Sequence, residues 1–372
     1  MSLKTQDEVF MKLALKEGEK GLGYTSPNPA VGAVIVKDGK VIAKGFHRFY
    51  GGPHAEVEAI QKAGNLAKGA TIYVTLEPCN HYGKTPPCTL KILEAGIKRV
   101  VCGIRDPNPV AGGGLDFLKS KGIKVKSGVL EYETRILTRF FLSRVIRKRP
   151  WVISKVAASL DGKTAVSTGD SKWITGFKAR KRGHYLRKIC DAIIVGKNTV
   201  IADDPELTCR YVKGKNPLRV VLDTNLSLST NYKIFDTRET PTIVVCKKGI
   251  SKTKLRDFAK KGVEVWELTL KDGKPDLSEL LYRLLEVGIN SVLVEGGATV
   301  HGSFLKEGLT DEVWYFVGPI IIGDEKGTPA IKLPPLKSLK ESTKINDLKV
   351  KKLGDTFLFH GYTNEGYKLL KT

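Results

Sequence analysis

His54-Ala55-Glu56, Pro78-Cys79 and Cys88 constrain this chain more than any other feature. Gly51-Gly52-Pro53 precedes His54, which opens a predicted helix running to Ala63. Cys79 follows a predicted buried strand, Thr71 to Leu76, and Cys88 follows Pro86-Pro87 at the next predicted helix start. One imidazole and two thiolates form a zinc-type donor set, and a catalytic zinc keeps its fourth position for water. A helix start favours thiolate over thiol. Glu56, two residues past the histidine, reads as a proton shuttle rather than a ligand. Eight residues, Asn80 to Pro87, separate the cysteines. On that spacing alone, a zinc site and a pair of structural thiols both stand.

Hydrophobic periodicity gives the first half an α/β pattern. Helices are predicted over Asp7–Lys20, His54–Ala63, Cys88–Ala95, Leu115–Lys121 and Tyr132–Ile146. Strands are predicted over Ala30–Val36, Lys40–Phe46, Thr71–Leu76, Arg99–Ile104 and Lys124–Ser127, the first two joined by an Asp38-Gly39 turn. These sum to a mixed sheet of about five strands. The basic run Arg144 to Arg149, closed by Pro150, marks a domain boundary and reads as a solvated linker or helix end. The expected domains are residues 1–148 and 149–372. Beyond the boundary, strands are predicted at Trp151–Ala157, Ala192–Val195, Arg219–Leu222, Thr242–Cys246, Val263–Glu267, Ser291–Val294, Trp314–Val317 and Phe357–His360. Helices intervene at Lys178–Lys188 and Leu277–Val287.

The 372 residues include 62 Lys and Arg against 39 Asp and Glu, a net charge of +23. That surplus suits phosphorylated or polyanionic ligands, and equally a soluble or heat-adapted surface. No apolar run reaches the length of a membrane span. The polar stretch Met1 to Phe10 does not read as a signal peptide. A soluble cytoplasmic protein is expected. Cys102, Cys190, Cys209 and Cys246 are isolated and read as buried structural thiols.

His-x-Glu followed by Pro-Cys and Cys is the pattern of the zinc nucleobase deaminases. The stretch Glu77-Pro78-Cys79-Asn80-His81-Tyr82-Gly83-Lys84-Thr85-Pro86-Pro87-Cys88 resembles the long-loop variant found in the riboflavin-biosynthesis deaminase/reductase family. So do Ser26-Pro27-Asn28-Pro29-Ala30-Val31-Gly32 and Gly52-Pro53-His54-Ala55-Glu56. The resemblance implies zinc held by His54, Cys79 and Cys88, with Glu56 catalytic. It implies a diaminopyrimidinone substrate carrying a phosphoribosylamino group, with Asn28, His47, His81 and Lys84 around it. Taken alone, Asn28 reads as a turn residue between prolines and His47 as a surface histidine at a strand end. A fourth ligand at His81 would close the catalytic position and is not expected.

The second half carries no G-x-G-x-x-G after a strand, and Gly112-Gly113-Gly114 reads as a flexible loop. The family resemblance continues instead through Lys155 to Lys163, Ser171 to Thr175, Gly196 to Pro205 and Val294 to Thr299. It implies a cytidine-deaminase-like mixed-sheet domain followed by a dihydrofolate-reductase-like domain that uses NADPH. By resemblance, Lys155 and Glu295 are catalytic. Ser171, Arg187, Leu207, Arg210 and Glu295 face the substrate. Ala157, Trp173, Thr199, Asp203 and Thr224 line the cofactor, with Gly297, Ala298, Thr299, Val300, His301, Gly302 and Ser303 along its phosphates. Gly296-Gly297 between a strand and a helix suits a pyrophosphate, and also an ordinary turn. Arg187 by itself reads as one charge on a solvated helix face, and Arg210 as a loop charge.

The expected activity is hydrolytic deamination with one zinc per chain, then NADPH-dependent reduction of the ribosyl group to ribityl. Phosphorylated pyrimidines are the expected partners, without nucleic acid or membrane. A homo-oligomer, dimer or tetramer, is expected, and the sequence does not say which. Two rivals use the same metal pattern. A nucleic-acid deaminase with an accessory domain would explain the charge but not the second half. A zinc-stabilised nucleic-acid-binding protein needs a closed four-ligand site.

Overall fold

The computed structural model describes residues 5–83 and 86–371. The chain divides into two compact units between Lys148 and Arg149.

The first unit runs α1 (Gln6–Gly18), β1 (Gly32–Lys37), β2 (Lys40–Phe46), α2 (Ala55–Ala63), β3 (Thr71–Leu76), α3 (Cys88–Glu94), β4 (Arg99–Ile104), α4 (Gly114–Ser120), β5 (Lys124–Lys126) and α5 (Glu131–Leu142). Its sheet has the order β2-β1-β3-β4-β5. β1 pairs antiparallel with β2 and β3, whereas β3, β4 and β5 are parallel. Asp38 and Gly39 both take positive φ, as a two-residue hairpin requires. Phe10, Met11 and Ala14 of α1 pack on Val34, Val36, Tyr73 and Val101 of the sheet. Asp7 secures the start of α1, accepting bonds from Arg99, Lys126 and Tyr73. Hydrogen bonding by Arg99 holds the Asp7 carboxyl well below the usual carboxylate range.

The second unit runs β6 (Trp151–Ala158), β7 (Lys163–Ala165), α6 (Phe177–Ile189), β8 (Ala192–Gly196), α7 (Lys197–Asp203), β9 (Leu218–Leu222), β10 (Thr242–Lys247), α8 (Lys252–Lys260) and β11 (Glu264–Leu268). It continues with β12 (Leu270–Lys271), β13 (Lys274–Pro275), α9 (Leu277–Glu286), β14 (Ser291–Gly296), α10 (Ala298–Lys306), β15 (Glu312–Val317), β16 (Thr328–Pro329), β17 (Asn346–Leu353), β18 (Thr356–Tyr362) and α11 (Asn364–Lys371). The main sheet has nine strands, ordered β11-β10-β9-β8-β14-β6-β15-β18-β17. The run from β11 to β15 is parallel, and β18 and β17 close one edge antiparallel. Parallel strands covered on both faces read as continuous apolar runs. Val220, Val245, Val292 and Val294 are therefore buried together with Leu280, Leu281 and Leu284 of α9.

Four expectations change here. β17 was not predicted: its only alternation, Leu348-Lys349-Val350-Lys351, is short and set among lysines, and its residues are mostly exposed at the sheet edge. The long helix ends at Leu142 and passes through one wider π turn, Ser143–Arg147. The basic run is not simply solvated. Arg149 makes two 2.8 Å bonds to the buried carboxylate of Asp311. Nor is Gly112-Gly113-Gly114 a plain loop, since Gly113 caps α4 at φ 82° and Gly114 begins it. Among the described residues, no helix is long and apolar enough to cross a membrane.

Candidate active sites

α2, the loop after β3 and the start of α3 converge at one end of the first sheet. His54 is the residue before α2, so its ring sits where that helix begins. Cys88 starts α3, and its backbone N–H points at Cys79 Sγ at 3.4 Å. His54 Nδ1 lies 3.2 Å from Cys88 Sγ and 3.6 Å from Cys79 Sγ. The three donor atoms all fall within 4.8 Å of one another, and among the described residues no fourth His, Cys, Asp or Glu joins them. Bonds from Cys88 and then His54 lower the Cys79 thiol to about 4, whereas the Cys88 thiol, beside that sulfur and buried, is raised. Two thiols beside an imidazole, one of them favouring thiolate, make a good host for a divalent cation, which takes thiolates. The donor set, its burial and its open fourth side fit zinc.

Glu56 follows His54 by two residues, in the first turn of α2. Its side chain is buried and bonded to Cys88. Burial raises its carboxyl to about 7, so it can hold a proton near neutral pH. Two glycines set this geometry. A Cβ on Gly45 would lie 2.3 Å from Ala55 O, so β2 accepts the first turn of α2 only with glycine there. A Cβ on Gly114 would lie 1.8 Å from Pro78 O, so α4 presses directly on the loop that carries Cys79.

His47 is buried, not at the surface, and its ring meets that of His54 edge-on at 5.3 Å. Its Nδ1–H donates to Pro53 O at 2.9 Å, which leaves Nε2 to accept from the Asn28 amide at 3.3 Å. Asn28 and His47 thus form one polar wall beside the metal ligands. His81 Nδ1 is buried with no hydrogen-bond partner among the described residues. A buried polar atom in that state is ready for a ligand. Lys84 lies outside the described residues.

In the second unit, β6 and β14 are neighbours in parallel register, with Val294 opposite Ser154. That register sets Lys155 beside Glu295, Nζ to Oε1 at 3.1 Å. Arg187 comes down from α6, its Nε 2.7 Å from Oε2 and its Nη2 2.8 Å from Oε1. Burial alone would push the Glu295 carboxyl up, but Arg187 and Lys155 outweigh it, and it titrates well below the usual range. Arg187 also donates to Thr208 O at 3.0 Å. It is therefore part of a buried cluster and not a charge on a solvated face. Arg210 is exposed and paired with Glu206. Leu207 is buried at φ 55° between them.

The cofactor candidates fall into two groups. Gly296 and Gly297 abut Thr199 of α7, where a Cβ on Gly296 would lie 2.9 Å from the threonine side chain. Ala298 to Ser303 all lie on α10. Within that run the His301 ring is buried and bonded to Ser154 Oγ at 2.8 Å, and Gly302 lies against Lys332 O. At the other end of α7, Asp203 pairs with Lys172 at 3.3 Å, next to Ser171 and to Trp173, whose ring carries the Arg180 guanidinium. Ala157 lies on β6, two residues beyond Lys155 and on the same side of the strand. Thr224 follows β9.

Residues 4–104 match the family described as cytidine and deoxycytidylate deaminase zinc-binding region, and residues 150–359 match the RibD C-terminal domain. The riboflavin biosynthesis protein RibD of Aquifex aeolicus is 46% identical over 94% of this chain and 96% of its own length. The chain belongs to the RibD family. RibD of Bacillus amyloliquefaciens is 44% identical over 94% of each chain. A solved Thermotoga maritima structure, described as a diaminohydroxyphosphoribosylaminopyrimidine deaminase/5-amino-6-(5-phosphoribosylamino)uracil reductase, superposes with a TM-score of 0.84 at 42% identity, covering 96% of this chain and 99% of that one. Acinetobacter baumannii RibD superposes at 0.86 and 38% identity, with the same coverage. As a member of that family, the chain is a bifunctional deaminase and reductase of riboflavin biosynthesis.

Three groups in this chain escaped sequence reasoning. Glu77 is buried and accepts from the backbone N–H groups of Asp106 and Leu115, tying the loop after β4 and α4 to the zinc loop. Asp106 is raised by burial to about 6 and senses Cys79 and His81. Its one sequence signal is the proline-framed string Asp106-Pro107-Asn108-Pro109, built like the one around Asn28. In the second unit His184 stacks on Tyr211 at 4.4 Å, one helical turn from Arg187. Cys209 is half-buried, so the expectation of a fully buried thiol fails there.

Proposed function

We propose that the first unit deaminates 2,5-diamino-6-(5-phosphoribosylamino)pyrimidin-4(3H)-one, and that the second reduces the ribosyl group of the product with NADPH. The observation that carries the first half is Glu56, a buried carboxyl beside three metal donors, with no fourth among the described residues. His54, Cys79 and Cys88 would hold the zinc, which would lower the pKa of a water in the site. Glu56 would accept a proton from the attacking water and deliver it to the departing amine, which leaves as ammonia. Asn28, held by His47, reads the ring edge, and His81 and Lys84 meet the phosphate side.

In the second unit NADPH supplies the hydride. Lys155 and Glu295 handle the proton as the ribose ring opens. Their charge cluster with Arg187 carries one net positive charge, which suits a phosphorylated sugar. Ser171, Leu207 and Arg210 complete the substrate side. Ala157, Trp173, Thr199, Asp203 and Thr224 flank the dinucleotide. The backbone N–H groups from Gly297 onward meet its phosphates, as the start of a helix favours. The buried side chain of His301 and the packed Gly302 support the helix that presents them. A cytoplasmic homo-oligomer belongs to the same reading. Supplying the purified protein with the diaminopyrimidinone phosphate, with and without NADPH, tests both halves. Ammonia should appear in both cases, and cofactor oxidation should require the deaminated product. Zinc without ammonia release would refute the first half.

A further inference from the structure

A cleft of about 350 Å³ opens at one edge of the second sheet, lined by Lys197, Leu222, Thr224, Asn225, Lys247, Leu270 and Gly273. It holds two half-buried lysines and no carboxylate among its lining residues. Of the acids next to lining residues in the chain, Asp223 is turned into its own loop, accepting from Ser227 N, Ser227 Oγ and Leu228 N, and Asp272 is paired with Lys306. Lys197 Nζ contacts only a neutral partner there, Ser227 Oγ at 3.3 Å. Lys247 is fixed by its backbone N–H, which donates to Thr224 O at 3.0 Å.

The place of this cleft in the sheet says what it would bind. β14, β8, β9 and β10 are consecutive parallel neighbours, so their carboxyl ends share one edge. Along that edge lie Gly296-Gly297, then Lys197, then Thr224, then Lys247. In parallel α/β sheets, ligands bind along this edge. One strand spacing, about 5 Å, separates the glycine pair from the start of α7 at Lys197, and three, about 14 Å, separate it from Lys247. The hairpin of β12 and β13 forms the outer wall, presenting the exposed apolar side of Leu270. Lys271–Glu307 and Lys306–Asp272 ion pairs at 2.9 and 3.0 Å strap this hairpin to α10, the helix that begins at the glycine pair.

Resting on the reading of the second unit as a dinucleotide-dependent reductase, we propose that Lys197 and Lys247 bind the 2′-phosphate of the cofactor and so select NADPH over NADH. The adenosine runs from the pyrophosphate at Gly297 across β8 and β9, with Leu270 against the base. A dianionic phosphate then meets two ammonium groups in a cleft that offers it no repulsion. A 2′-hydroxyl in the same position gains neither.

Binding is measured by calorimetry with NADPH, NADH, adenosine 2′,5′-bisphosphate and AMP on the wild type, Lys197→Ala, Lys247→Ala and the double variant. Each single change should weaken NADPH and the bisphosphate about tenfold, as loss of a charged hydrogen bond does. NADH and AMP should be unaffected, which also shows that the variants fold. Lys247→Arg should restore most of the loss. Unchanged NADPH affinity in the double variant, or an equal loss for NADH, would overturn the assignment. A wild type that binds both dinucleotides equally well defeats the lysine assignment but leaves the reductase reading standing. A wild type that binds neither defeats both.

Discussion

Lys155 and Glu295 stand 140 positions apart in the chain and 3.1 Å apart in space, because β6 and β14 are parallel neighbours. Arg187 closes on the same carboxylate from the helix above. Two cations and one anion are thereby kept in a largely dry place, where removing any one member leaves the others uncompensated.

Glu295→Gln should cut NADPH oxidation about a hundredfold or more, because the proton relay loses its acceptor. It should also lower stability by about 3 kcal/mol, since two buried cations lose their anion. Ammonia release from the first unit should not change. The two assays and a thermal melt on one variant decide it; a full reductase rate would show the cluster to be purely structural.

Glu56→Gln should reduce ammonia release about 10²–10⁴-fold while zinc stays bound, because the three donors are untouched. Metal analysis beside the rate separates this from Cys79→Ser, which should lose both. If the Gln variant keeps its rate, the proton moves by another route.

Gly114→Ala tests packing at a distance from the chemistry. The new methyl would sit 1.8 Å from Pro78 O, so α4 or the Cys79 loop must shift. A destabilisation of about 1–3 kcal/mol is expected, together with weaker retention of zinc against a chelator. Chemical denaturation and chelator titration read the two effects; an unperturbed variant would mean that the loop yields freely.

His301 makes stability depend on pH. Burial holds its folded imidazole down at about 4, against 6.5 for the free side chain. Between those values the unfolded chain binds a proton that the folded chain refuses, so acid favours unfolding. The contribution is fully present above about pH 6.5 and is lost progressively toward pH 4, up to about 3 kcal/mol. Denaturant midpoints across that range should flatten in His301→Gln relative to the wild type. Parallel pH profiles for the two proteins would show that His301 titrates normally.

Local chemistry made much of this chain readable in advance. The alternation of apolar runs and turns gave ten elements of the first unit, and the Asp38-Gly39 turn could be placed because its geometry demands those residues. His54, Cys79 and Cys88 were legible because few other roles put an imidazole and two thiols at strand and helix ends with a carboxyl two residues away. β17 was hidden because its alternation, Leu348-Lys349-Val350-Lys351, is short and lysine-rich, as suits an exposed edge strand.

What one-dimensional order could not supply was which polar groups would be dry. His47 looked like a surface residue and Arg187 like a solvated charge, yet both are buried against partners from other elements. Gly114 looked like slack and proves to be a contact point against Pro78. The reason is physical: side-chain type and spacing set the ligand chemistry and the local backbone, whereas burial, charge pairing and proton affinity depend on neighbours that only the packing of distant strands and helices brings together.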